Sequence, residues 1–135
     1  MELINKYTNK RMDVNKKNFE DIHKRIYRFV IRVLIFLKKL PDTSENKVIR
    51  YQLAKSATSM GANDQEADGT TSVKDFINKY TIVRKESKET NYWLNVIKDT
   101  NPDITKEIDE FVDESLELIK IVSKIIYNSK NKVRK

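Results

Sequence analysis

Apolar residues recur along this chain at three- and four-residue steps, the spacing that turns one face of an α-helix toward a core, and they do so in four stretches. From about Asn18 to Leu40 the stripe is Phe19, Ile22, Ile26, Phe29, Val30, Val33, Leu37 and Leu40, with Asn18 as the expected N-cap and Pro41 as the stop. A second helix is predicted from about Ser44 to Ala67, turning Ile49, Leu53, Ala57, Met60 and Ala67 inward. The turn Asp68-Gly69-Thr70-Thr71 is short, which makes the second and third helices antiparallel neighbours. Ser72-Val73-Lys74-Asp75 resembles a capping box and starts the third helix, whose inner stripe is Phe76, Tyr80, Val83 and Leu94. Asn101-Pro102 breaks the chain and is expected to supply an N-cap and an N1 proline. The fourth helix then runs to about Asn128 on Ile104, Ile108, Phe111, Val112, Ser115, Ile119, Val122 and Ile126. The pattern predicts an all-α, antiparallel up-and-down four-helix bundle over residues 18–128, with a flexible polar leader at 1–17 and a frayed basic tail at 129–135.

Two of the helices carry more apolar surface than one bundle needs. Tyr27, Ile31 and Ile35 form a strip displaced from the first core stripe by roughly 120–180° at about 100° per residue. The third helix has a second stripe, Ile82, Trp93 and Val96, that includes Glu86 and Glu89. In a lone bundle these strips would face water, so Tyr27, Ile31, Ile35, Ile82 and Trp93 are the expected oligomer interface. A strip of small and polar residues on the second helix, Gln52, Ser56, Ser59, Asn63 and Glu66, lies beside its core stripe. Folding back about the turn near residue 70 brings Gln52 and Ser56 toward Glu86 and Glu89. Gln52, Asn63, Glu66, Lys85, Glu86 and Glu89 are expected to form a buried polar network that sets helix register.

Composition narrows the class. With two glycines and two prolines in 135 residues the chain lacks the turns of a many-stranded β protein, and it has no cysteine for disulfides, thiolates or metal. No run of about 18 apolar residues is present, and MELINKYTNKRMDVNKK has neither an apolar core nor a cleavage-site pattern. A bacterial cytoplasmic protein without a membrane partner is the expectation. The net charge is +7, and residues 1–40 hold 11 basic against 4 acidic groups. Such a surplus suits a polyanion, which makes Lys24, Arg25, Arg28, Arg32 and Lys39 the candidate contacts to RNA or DNA. The same surplus also follows from the Lys-, Asn- and Ile-rich usage of an AT-rich genome, in which case the bundle is a scaffold for another protein.

Chemistry finds little support. Glu20-x-x-His23 has the spacing of di-iron bundles, but such a site needs two of these motifs and the chain has one histidine, so His23 is read as a helix-surface residue. Glu86-x-x-Glu89 followed by Glu110-x-x-Asp113 resembles the acidic signature of metal-dependent all-α nucleotide pyrophosphohydrolases. There the helical phase turns Glu110 and Asp113 into solvent, roughly 140–160° from the core stripe. No nucleophile has an obvious base, and no glycine-rich phosphate loop exists. The expectation is a protein without catalytic residues, metal or cofactor.

One stretch carries a family pattern: Gln52-Leu53, Ser56, Ser59, Ala62-Asn63, Glu66-Ala67, Gly69, Ser72, Asp75-Phe76, Lys85-Glu86, Glu89 and Tyr92-Trp93-Leu94. It resembles the four-helix-bundle proteins encoded within intervening sequences of bacterial 23S ribosomal RNA genes, also called S23 proteins, over about residues 19–127. The resemblance implies a ring-like homo-oligomer, a homopentamer of four-helix protomers, with no known catalytic activity. A similar accessory protein of diversity-generating retroelements binds a reverse transcriptase and nucleic acid through basic surfaces. Many relatives carry two arginines where this chain has Ala54-Lys55, and a glycine where it has Ala67, so nucleic-acid contact is expected on the first helix instead.

Overall fold

Four helices follow one another: α1 (Ile22–Leu37), α2 (Ser44–Asp68), α3 (Val73–Thr100) and α4 (Thr105–Val133). They come from a computed structural model that describes residues 2–4, 11–13 and 21–133. Outside the helices, β1 (Glu2–Ile4) pairs antiparallel with β2 (Arg11–Asp13), with Leu3 opposite Met12. Part of the expected flexible leader is therefore paired strand, and the rest of it lies outside the described residues, as do Lys17, Asn18 and Phe19.

Side chains at the helix starts satisfy amides that have no partner within their own helix. Asp21, rather than Asn18, caps α1 and accepts from the His23 amide at 2.7 Å. Thr43 accepts from the Asn46 amide at 3.0 Å, and Ser72 accepts from the Asp75 amide at 3.1 Å. The last joint differs from expectation. Asn101 ends α3, donating its amide to the Ile97 carbonyl, and Pro102–Ile104 form a 3₁₀ turn before α4. Pro102 thus starts that short turn and is not the first residue of α4.

Hydrogen bonds between helices fall in order. Across α2 and α3, Asn46 meets Asn101, Ser56 meets Thr90 and Asp64 meets Tyr80, so positions rise on one helix as they fall on the other. Asn91 meets Ser115 and Lys98 meets Asp109 in the same sense across α3 and α4. Between them the four helices bury Ile26, Val33, Leu53, Met60, Phe76, Tyr80, Leu94, Ile97, Ile108 and Leu118. Phe111 of α4 packs its ring 5.2 Å from Phe36 and 6.3 Å from Phe29 of α1.

Two expectations for α4 are corrected. Its buried face is wider than one stripe, because it packs on both α1 and α3. Leu118 and Ile125 are buried along it, while Ile104, Val112 and Ile119 are only partly covered. The helix also continues past Asn128 to Val133, with Ser129 buried and donating to the Ile125 carbonyl at 2.8 Å, where a frayed tail was expected. Truncation separates the two neighbouring positions. Leu118→Ala is expected to cost about 2–5 kcal/mol in urea unfolding, and Ile119→Ala clearly less.

Candidate interaction surface

On α1 the steps from Lys24 to Tyr27, Arg28, Ile31, Ile35 and Lys38 are three or four residues or their sums, which places them along one side of the helix. Tyr27 is 61% exposed, Ile31 37% and Ile35 53%, whereas Ile26, Val33 and Phe36 behind them are sealed. Next to Tyr27 a groove of about 230 Å³ opens between α1 and α2, lined also by Val30, Thr58, Gly61 and Ala62. Gly61 lets the helices approach there: a Cβ at this position would meet Val30 Cγ2 at 3.2 Å. A second apolar side lies on α3, where Ile82 is 39% exposed and Trp93 half-buried, with Tyr92 against the Trp93 ring at 4.9 Å.

The cations of α1 divide into two groups. Arg25 makes a two-pronged ion pair with Glu114 at 2.6 and 2.8 Å, Lys39 reaches Glu107 at 3.1 Å, and Arg32 lies 3.7 Å from Glu110 and over the Phe111 ring. These three of the five candidate phosphate contacts thus face the acidic side of α4. Lys24 and Arg28 are exposed beside the apolar strip. Glu110 is engaged by Arg32 and Asp113 is exposed, so neither faces Glu86 or Glu89.

The expected six-residue polar network is not one buried unit. Glu66 and Lys85 are exposed, Glu66 pairing with Lys79 at 3.4 Å. Gln52, Asn63, Glu86 and Glu89 are half-buried: Asn63 donates to the Ser59 carbonyl, and Trp93 Nε1 donates to Glu89 at 3.4 Å. These positions fall at the outer edge of the α2–α3 seam, and Ser56 and Thr90 make a buried polar contact inside it. Desolvation holds the Glu86 carboxyl above the usual carboxylate range, and repulsion from Glu89 adds to it against the pull of Lys85 and Lys55.

The deepest polar cluster was not anticipated. Asp64 is fully buried, accepts from the Tyr80 hydroxyl at 2.6 Å, and has His23 Nδ1 at 2.8 Å from the same oxygen. Its other oxygen, Oδ2, is buried without a hydrogen bond among the described residues. His23 is therefore a packed residue rather than a surface one, 18% exposed, with Nε2 3.4 Å from Asp68. Burial pushes the imidazole down, but the hydrogen bond to Asp64 and the charges of Asp64, Asp21 and Asp68 outweigh it and raise its pKa above 6.5. A sequence signal for Asp64 existed: it stands four residues after Met60 and three before Ala67, on the core stripe of α2.

With the geometry in view, the likeness to known proteins is direct. The family model of the 23S rRNA-intervening sequence protein matches residues 20–124. The chain belongs to this family. A 1.70 Å crystal structure of a protein of unknown function from the S23 ribosomal protein family of Bacteroides thetaiotaomicron VPI-5482 shares 34% identity with it. The two align with a TM-score of 0.71 over 78% of this chain and 98% of that one. Among curated proteins none matches. The family match begins one residue before the α1 cap and spans all of α1 to α3 and most of α4. Among the described residues no helix is long and apolar enough to cross a membrane, and no group of three metal-ligating side chains is assembled.

The His23 cluster generates a pH dependence of known sign. A histidine whose pKa is raised on folding stabilises fully below its unfolded value and loses that contribution as pH rises through the folded value. His23→Gln is therefore expected to lower Tm most below pH 6.5, with the gap to the wild type narrowing above it. Thermal melts monitored by circular dichroism across about pH 5–9, a range that brackets the usual histidine titration, check this. A gap that widens with pH would contradict the assignment.

Proposed function

We propose that this chain is a non-enzymatic helical-bundle protein that acts by assembly: an antiparallel up-and-down bundle that serves as protomer of a ring-like homo-oligomer, with a homopentamer as the family resemblance suggests. The observation that carries this reading is the α1 strip of Tyr27, Ile31 and Ile35, exposed along a helix whose opposite face is already filled. Large apolar side chains gathered along one helix face mark contact with another protein surface. The descending order of cross-helix pairs supports the antiparallel arrangement. A cytoplasmic setting is part of the same reading.

A second reading keeps RNA or DNA as a partner of α1. It is favoured by the net charge of +7 and by the exposure of Lys24 and Arg28. Against it, Arg25, Arg32 and Lys39 already meet Glu114, Glu110 and Glu107, which leaves less positive field for phosphates.

Light scattering after size exclusion tests assembly. The wild type should elute as a closed multiple of 16.0 kDa, and Ile31→Asp/Ile35→Asp should fall to monomer with its helical content intact. A wild-type monomer at all concentrations would defeat the reading. Short RNA and DNA pools added to the same protein test the second reading. Electrostatic binding should weaken on the order of 10-fold or more between low and moderate salt, and binding indifferent to salt would exclude contact through these cations.

A further inference from the structure

A closed ring of more than two identical subunits needs two different surfaces on each protomer, because each interface is head-to-tail. Apolar contact alone does not choose which two. The exposed apolar residues of the described chain fall in separate places, and their charged neighbours distinguish them. On α1 the strip is flanked by Lys24, Arg28 and Lys38. Tyr51 of α2 has Lys47 and Lys55 four residues to either side, and Leu116 and Tyr127 of α4 are separated by Lys120 and Lys124. The α3 side sets its apolar groups around a pair of carboxylates: Ile82, Glu86, Glu89 and Trp93 follow at steps of four, three and four, with Lys85 and Lys88 next to the acids.

We propose that the ring closes by docking the α1 face of one protomer, Tyr27, Ile31 and Ile35 flanked by Lys24 and Arg28, onto the α3 face of the next, Ile82 and Trp93 around Glu86 and Glu89. This rests on the assembly reading above and names the surfaces that meet. Both faces are helical and about equally spaced: Tyr27 to Ile35 spans eight residues and Ile82 to Trp93 eleven, or ~12 and ~16 Å along the axes at about 1.5 Å per residue. The α3 acids are incompletely served within the protomer. Glu89 accepts from Trp93, while desolvation and repulsion from Glu89 destabilise the charged form of Glu86. A cation arriving with an apolar strip offsets both effects, since it supplies the opposite charge while the strip excludes water around it.

Charge reversal with rescue decides the matter. Glu86→Lys/Glu89→Lys and Lys24→Glu/Arg28→Glu should each lose the wild-type mass in light scattering, and the quadruple variant carrying both reversals should recover it. Helical circular dichroism checks that each variant protomer stays folded. As a second measurement, Arg28→Cys/Glu89→Cys in this cysteine-free chain should form covalent multimers under mild oxidation, visible on a non-reducing gel. Each single-cysteine variant should stop at dimer. A monomeric wild type overturns the assembly reading itself. An oligomeric wild type whose reversed variants keep their mass, or whose paired cysteines do not link beyond dimer, overturns this pairing of faces and leaves assembly standing.

Discussion

Asp64 is the residue around which three helices are placed. A carboxyl group removed from water costs several kcal/mol unless hydrogen bonds replace the solvent. Here those bonds come from His23 on α1 and Tyr80 on α3, both on the same oxygen of a residue that belongs to α2. One buried atom therefore fixes the phase and axial position of α1, α2 and α3 together. A purely apolar seam tolerates sliding and rotation far better. At the other end of the bundle Asn46 and Asn101 exchange amide hydrogen bonds, and Asn46 also donates to the Pro41 carbonyl. The two connections at that end are tied to each other, so α2 and α3 are held near both ends.

The fourth helix is placed differently. Its apolar face meets α1 through Phe111 against Phe29 and Phe36, and its charged flank meets the cations of α1 through Glu107, Glu110 and Glu114. Exposed ion pairs contribute little to stability, roughly 0–1 kcal/mol each. Their importance here is electrostatic: they neutralise Arg25, Arg32 and Lys39 within the chain. A segment that looks strongly basic when read alone becomes, once folded, a helix with one neutralised flank and one basic edge along an apolar strip.

Membership of the 23S rRNA-intervening sequence protein family rests on residues 20–124, nearly the whole bundle. The core is closed by residues of all four helices, yet Tyr27, Ile31 and Ile35 on one side and Ile82 with Trp93 on another stay open to solvent. The interior explains the stability of the protomer, and these two sides bear on what it meets.

Periodicity alone determined the helix content, the order of the helices, most of the core and the surplus apolar strips, because each follows from the 3.6-residue repeat within one segment. Ile26, Leu53, Val83 and Ile108 needed no knowledge of neighbours to be placed inside. Ser72 marked a helix start for an equally local reason. Tertiary structure decided everything that depends on two segments at once. It made Asp64 and His23 a buried pair although both are polar and 41 positions apart, and it left Glu66 and Lys85 in water although their helical phase admitted burial. It also turned Arg25, Arg32 and Lys39 toward acids that lie 68–89 positions away. A single helix reports which of its faces is apolar. Which polar groups are covered, and by what, is settled only when another helix brings the partner that makes covering them favourable.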